Sequence, residues 1–140
     1  MPNMQIRTKH FATGAIMGSD DRSARGRELQ ERMRPGMSKH LEDRYRGASA
    51  DFGRYTTEIL FGEFWQRDGL DIRSRELVTL GVLLGAGQLN DFRIHVGIAT
   101  NLGLTRAEIV EIVYHCAPYV GWPRAGDGFA IIEEVLPQDG

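Results

Sequence analysis

Apolar residues recur every three or four positions along most of this chain, the spacing that lines one face of an α-helix. The pattern and its Gly and Pro punctuation predict helices over about 23–34, 37–46, 51–67, 72–84, 88–102, 105–120 and 124–136. No segment sustains the two-residue alternation of a half-buried strand. We therefore expect an all-α fold, an antiparallel helical bundle of about six to seven helices joined by short loops.

Signals at the helix ends support these boundaries. Thr105, followed three residues later by Glu108, forms a capping box, and Asp71 is expected to cap the helix that starts after it. Asp51 is expected to cap the helix over 51–67 in the same way. Pro118 falls inside the helix that starts at Thr105. We expect it to kink that helix, because proline lacks an N–H and crowds the preceding turn.

The chain is predicted to consist of an N-terminal arm and a helical body. Residues 1–36 are rich in charge, Gly and Met, with one possible short helix that Pro35 and Gly36 end. We expect this arm to pack on the body or on a neighbouring subunit. Residues 37–140 are predicted to form the helical domain, and 140 residues fit a single domain overall.

Composition narrows the classes of function. The 17 basic and 19 acidic residues give a formal net charge of −2, unlike proteins that neutralise many phosphates, so nucleic acid is not an expected partner. The single cysteine, Cys116, excludes an intramolecular disulfide, a CxxC redox pair and multi-cysteine metal sites. No apolar run is long enough for a signal peptide or a membrane span, which predicts a cytoplasmic protein with no membrane partner.

Two ionisable residues interrupt the apolar stripes of consecutive predicted helices. Glu76 lies four residues before Leu80 in one stripe, and His95 lies three residues after Phe92 in the next. Because helices joined by a short loop pack antiparallel, Glu76 and His95 could meet. Such a pair can act as a general acid and base near neutral pH. It can equally be a structural pair whose members satisfy each other's hydrogen bonds, and the pattern alone leaves both interpretations open.

Metal and nucleotide cofactors are not predicted. His115, taken alone, is expected to be a boundary histidine that is partly buried. A metal site built from Glu76, His95 and His115 lacks the HxxxH or HxH spacing that would hold two imidazoles on one face. Neither a dinucleotide-binding GxGxxG after a strand nor a phosphate loop occurs in the chain.

Several short motifs, taken in order, resemble the carboxymuconolactone decarboxylase family. They are FGEFW (61–65), GLDIRSRELVTL (69–80), DFRIH (91–95), GLTRAEI (103–109) and HCAPYVGWP (115–123). The resemblance runs from Tyr55 to Leu136, a little over half of the chain. It implies an all-helical, alkylhydroperoxidase D-like fold and a homotrimer or homohexamer.

The wider superfamily includes alkylhydroperoxidase D-type proteins, which carry a glutamate, a CxxC pair and a histidine four residues after the second cysteine. If His95 is placed on that histidine, Glu76 falls on the glutamate, and Gln88 and Asp91 stand where the two thiols would be. Peroxide and disulfide chemistry needs a thiolate nucleophile, so this chain is expected to lack that activity. Cys116 is predicted to be an inert core thiol.

For the decarboxylase branch the resemblance implies a lyase of aromatic-compound catabolism that needs no cofactor. In a carboxylated lactone such as 4-carboxymuconolactone, the electrons left by departing CO2 pass through a conjugated double bond into the lactone carbonyl. Glu76 and His95 are the predicted catalytic residues. The predicted substrate-binding residues are Arg93, His115, Tyr119 and Trp122. Two alternatives are another non-redox enzyme acting on an enolisable metabolite by proton transfer, cyclisation or isomerisation, and a non-catalytic ligand-binding oligomer.

Overall fold

The computed structural model describes residues 18–138, and residues 1–17 of the predicted arm lie outside this range. Within 18–138 the chain is helical and contains no strand, which confirms the predicted all-α bundle. Its seven α-helices are α1 (Ser19–Met33), α2 (Met37–Arg44), α3 (Ala50–Tyr55), α4 (Ile72–Ala86), α5 (Leu89–Asn101), α6 (Arg106–Val120) and α7 (Trp122–Val135). None of the helices in this part of the chain is long and apolar enough to span a bilayer.

The predicted caps of α4 and α6 are present. The Asp71 side chain accepts a hydrogen bond from the Ser74 amide, and Thr105 and Glu108 form the reciprocal capping box. The backbone N–H of Thr105 and the Arg73 guanidinium hold the pKa of Glu108 down at about 2, so this carboxylate is ionised near neutral pH. Helix α6 continues past Pro118 to Val120.

The single helix predicted over 51–67 is wrong. The structure has the short helix α3, then a π-helix at Thr56–Phe61 and a separate 3₁₀ turn at Phe64–Gln66. Ser49, not Asp51, occupies the N-cap position of α3. Contact with α1 accounts for the change, because the wider π-turn faces Glu58 and Phe61 inward against it.

Two apolar cores hold the helices together, and α5 contributes to both. The larger core lies among α4, α5, α6 and α7. The smaller core joins α1 and α2 to α5 and the π-helix, and its buried residues are Leu29, Met33, Met37, Phe61, Ile98 and Leu102. The part of the N-terminal arm that the structure describes therefore packs on the body. The domain boundary at residue 36 stays a prediction.

Helix α1 and the π-helix approach closely at one glycine. A Cβ on Gly26 would lie 2.0 Å from the Thr57 carbonyl oxygen, so any larger residue would push the two backbones apart. One turn further along α1, the buried Gln30 side chain donates a hydrogen bond of 3.1 Å to the Thr57 hydroxyl. These contacts fix the position of the π-helix and of the turn that follows it.

Candidate active site

Glu76 on α4 and His95 on α5 meet inside the bundle, as the sequence predicts. The Nδ1 atom of His95 lies 2.9 Å from Oε1 and 3.1 Å from Oε2 of Glu76. The Glu76 side chain has no exposed surface, whereas the His95 side chain is 16% exposed. The loop of Gly87 and Gln88 between the two helices makes them antiparallel neighbours, which brings the two side chains to the same level.

The arrangement fixes which ring nitrogen of His95 is available for chemistry. An ionised carboxylate only accepts hydrogen bonds, so Nδ1 of His95 is the donor whenever Glu76 is ionised. The other nitrogen, Nε2, makes no hydrogen bond within residues 18–138. Nε2 can therefore accept a proton when the ring is neutral and donate one when the ring is charged.

Trp65 covers one face of the histidine ring. The two rings stack with centroids 6.3 Å apart and an angle of 21° between their planes. The neighbouring Gln66 fixes this turn, because its amide donates to the backbone oxygens of Arg25 and Phe61 at 2.9 and 3.0 Å. Sequence reasoning missed Trp65 as a site residue. The signal that could have found it is its place in the FGEFW motif, one of the motifs that carry the family resemblance.

The four residues predicted to bind substrate do not contact the pair. Arg93 forms an ion pair with Glu134 on α7. His115 and Tyr119 lie on the outer side of α6 with ring centroids 5.9 Å apart, and Tyr119 is 81% exposed. Trp122, at the start of α7, is 73% exposed. Their assignment to the substrate stays a prediction.

Two concave surfaces flank α4. Trp65 lines a cavity of about 400 Å³ between the 3₁₀ turn and α4. On the other side, α4 and α6 form a broader groove of about 660 Å³ with a mostly apolar lining, which includes Leu77, Val82, His115 and Cys116. Burial raises the pKa of the Cys116 thiol, so little of it is thiolate at neutral pH.

The described residues offer no cluster for a metal ion. Within 18–138, no group of three or more His, Cys, Asp and Glu side chains lies close enough together to hold one. Gln88 and Asp91, which stand where the superfamily's two thiols would be, are both exposed near the start of α5. The chemistry that the described side chains can supply at Glu76 and His95 is proton transfer and hydrogen bonding.

These features define, over residues 18–138, a helical bundle with a Glu–His pair between α4 and α5 whose carboxylate is fully buried. The profile of the carboxymuconolactone decarboxylase family matches residues 50–134, and the chain belongs to that family. The match contains α3 to α6, most of α7, and both residues of the pair.

Curated relatives agree with this assignment. The chain is 36% identical over 86 residues to a 4-carboxymuconolactone decarboxylase of Acinetobacter baylyi, a match that covers 61% of this chain and 64% of the relative. It is also 36% identical over 80 residues to a nitrosuccinic acid decarboxylase of Metarhizium robertsii, covering 57% of this chain and 56% of the relative. An uncharacterized 15.0 kDa protein of Paracoccus denitrificans is 30% identical to the chain over 84 residues. This match covers 59% of this chain and 63% of the relative. In each case the match spans less than two thirds of the relative's length.

Proposed function

We propose that this protein is a cofactor-independent decarboxylase, a carboxy-lyase that acts on a small carboxylated lactone such as 4-carboxymuconolactone. The observation that carries the proposal is the hydrogen bond between His95 Nδ1 and the fully buried Glu76, which leaves Nε2 without a protein partner in the described chain. The decarboxylase names of two relatives support the same reaction class.

The substrate itself supplies most of the chemistry. Decarboxylation breaks the bond between the carboxylate carbon and the ring carbon, and CO2 leaves. The electron pair moves through the conjugated double bond into the lactone carbonyl, which becomes an enolate, and a proton then returns to carbon. The protein has to stabilise the enolate oxygen and deliver the proton.

We assign those two tasks to His95, with Glu76 as its partner. Protonated His95 donates from Nε2 to the enolate oxygen, or gives this proton to carbon. Glu76 holds the ring through Nδ1 and stabilises its positive charge. Trp65, stacked on the ring, restricts its rotation and keeps water from one face.

Nitrosuccinic acid is a second candidate substrate, because the relative named for that acid has the same 36% identity to this chain as the 4-carboxymuconolactone decarboxylase. In this acid the nitro group is bonded to the carbon that loses CO2, so it accepts the electron pair of the broken C–C bond and becomes a nitronate. The return of a proton to carbon then requires the same general acid, which we assign to His95. Both candidates are small acids whose own electron sink replaces a cofactor.

The proposed function predicts CO2 release from a small activated acid. Purified protein is incubated with 4-carboxymuconolactone and, separately, with nitrosuccinate, and CO2 is measured together with the product mass. We expect loss of CO2 from the lactone, in a reaction that chelators leave unchanged. Mass-neutral conversion would instead identify an isomerase or cyclase, and a raised melting temperature with unchanged ligand would identify a binding protein.

We also propose that the protein forms a homo-oligomer, a trimer or hexamer, through the groove between α4 and α6. The groove is lined mostly by apolar side chains, with Glu108 and Glu111 on its α6 side, and Val78 and Val82 of α4 have more than half of their surface exposed. His115 lies in this groove and contacts Tyr119. Tyr119, 81% exposed, lies beside the groove, and a second copy of this chain is the occupant that we propose for the surface.

Val82→Asp is expected to dissociate the oligomer, because it places a charge in the apolar groove. Light scattering coupled to size exclusion measures the mass. The matched control is Ala48→Asp, at an exposed position in the turn before α3, which should keep the wild-type mass. A wild-type protein that elutes as a monomer, or a Val82→Asp variant with unchanged mass, would contradict the assignment of this groove.

A further inference from the structure

The cavity beside Trp65 combines aromatic walls with unpaired positive charge. Its lining includes Phe64 and Trp65 from the 3₁₀ turn, Arg67 from the following loop, and Arg75 and Val78 from α4. No Asp or Glu is among its lining residues, all of which lie in the described part of the chain. A site of this composition suits a small anion with an apolar body.

Within residues 18–138, neither the Arg67 nor the Arg75 guanidinium forms an ion pair with a carboxylate. Arg75 donates from Nε to the Leu70 backbone oxygen at 3.2 Å and from Nη2 to the Arg67 backbone oxygen, so its partners are uncharged. Arg67 is exposed and forms no ion pair within residues 18–138. The hydrogen bonds to the two backbone oxygens hold Arg75 against the loop that carries Arg67. Both arginines therefore contribute positive charge to the lining of the cavity.

Helix α4 connects this cavity to the Glu–His pair. Arg75 and Glu76 are consecutive, and successive residues of an α-helix point about 100° apart. Glu76 therefore faces His95 in the core while Arg75 faces the cavity. Trp65 belongs to both places, since it lines the cavity and stacks on the His95 ring.

We propose that this cavity binds the carboxylate of the substrate, with Arg67 and Arg75 as the anion-binding groups and Phe64 and Trp65 packed against the apolar part of the molecule. Arginine suits this task because its planar fork matches the geometry of a carboxylate. The ligand class is a small carboxylated lactone or dicarboxylic acid. That the bound molecule is then decarboxylated rests on the proposed function. That the cavity binds a carboxylate does not.

The test measures binding without turnover. Kd values for the wild-type parent and its variants come from titration calorimetry, and the change at Trp65 is followed by fluorescence in a Trp122→Phe background, where Trp65 is the one remaining tryptophan of the two in the chain. The probe is 5-oxotetrahydrofuran-2-carboxylate, a saturated lactone acid that cannot pass electrons through a double bond. γ-Butyrolactone is the matched probe without the carboxylate. We expect the acid to change Trp65 fluorescence saturably and the neutral lactone to bind far more weakly.

Arg67→Gln is the decisive variant, because the Arg67 side chain makes none of the loop hydrogen bonds that Arg75 makes. We expect its Kd for the acid to rise about 10- to 100-fold, the effect of losing a charge-assisted hydrogen bond. The control is Arg32→Gln, an exposed arginine on α1, which should keep the wild-type Kd. With a turned-over substrate, Arg67→Gln should raise KM and leave kcat within a few-fold.

The outcomes separate the two proposals. Equal Kd values for the acid in Arg67→Gln and the parent, or no binding of the acid by the parent, would overturn the cavity assignment whatever reaction the protein catalyses. Binding that requires both the carboxylate and Arg67, in a protein that releases no CO2 from either candidate substrate, would support the cavity and refute the proposed decarboxylation.

Discussion

His95→Ala is expected to lower kcat for decarboxylation by about 100- to 10,000-fold, the contribution of a positioned general acid. The substitution removes the only side chain that bonds to Glu76 in the described chain, and with it the proton that the reaction needs. It should leave KM within a few-fold, because the groups that we assign to carboxylate binding lie in the cavity beside Trp65. Steady-state rates of CO2 release measure both constants.

A second substitution separates acid catalysis from structure at this pair. Glu76→Gln keeps a hydrogen-bonding group of similar shape beside His95 and replaces the carboxylate by a neutral amide. We expect a loss of kcat smaller than that of His95→Ala, with a changed pH profile and an unchanged circular dichroism spectrum. His40→Ala, on the exposed side of α2, is the matched control and should keep full activity. A folded His95→Ala protein with wild-type kcat would refute the assigned role.

Gly26→Ala is expected to lower the free energy of unfolding by about 3 kcal/mol, at the upper end of what overpacking costs. Its Cβ would lie 2.0 Å from the Thr57 carbonyl oxygen and 2.9 Å from the carbonyl carbon, which are backbone atoms that cannot rotate away. Helix α1 would have to move off the π-helix. Urea unfolding measures the change as a lower transition midpoint with an unchanged slope.

Gly126→Ala provides the matched control on α7. A Cβ there has no neighbour within 4 Å, so the same substitution should be neutral or stabilise the protein by up to about 1 kcal/mol through helix propensity. Movement of α1 would also disturb Gln66, whose amide bonds to the Arg25 backbone, and through it Trp65. We therefore expect a lower kcat for Gly26→Ala alone. Equal midpoints for the two variants would show that α1 is not packed this closely.

Features encoded over a few residues could be predicted from the sequence. The caps at Asp71 and Thr105 depend on residues three positions apart, and both are present. The meeting of Glu76 and His95 was also predictable, since two polar residues in apolar stripes of consecutive antiparallel helices have few other ways to become partnered. The family resemblance, and not the residue pattern, pointed to a decarboxylase.

Features that depend on contacts between distant segments could not be predicted. The π-helix at Thr56–Phe61 forms against α1, more than twenty residues earlier in the chain, and nothing in its own sequence distinguishes it from an α-helix. Trp65 lies against His95 because the helix predicted over 51–67 ends before it, and the 3₁₀ turn at Phe64–Gln66 gives its side chain another direction. The hydrogen bond from the Arg75 guanidinium to the Arg67 backbone oxygen likewise requires the loop to fold back on α4.

Val78 lines both the groove between α4 and α6 and the cavity beside Trp65. A second copy seated in the groove would contact the side chain that forms one edge of the cavity, which couples association of the subunits to occupation of the cavity. Such coupling is reciprocal, so a ligand that strengthens association is itself bound more tightly by the assembled form. If a copy seated in the groove favours the occupied cavity, the apparent affinity for a carboxylate rises with protein concentration, and the proposed oligomer would then take part in substrate capture.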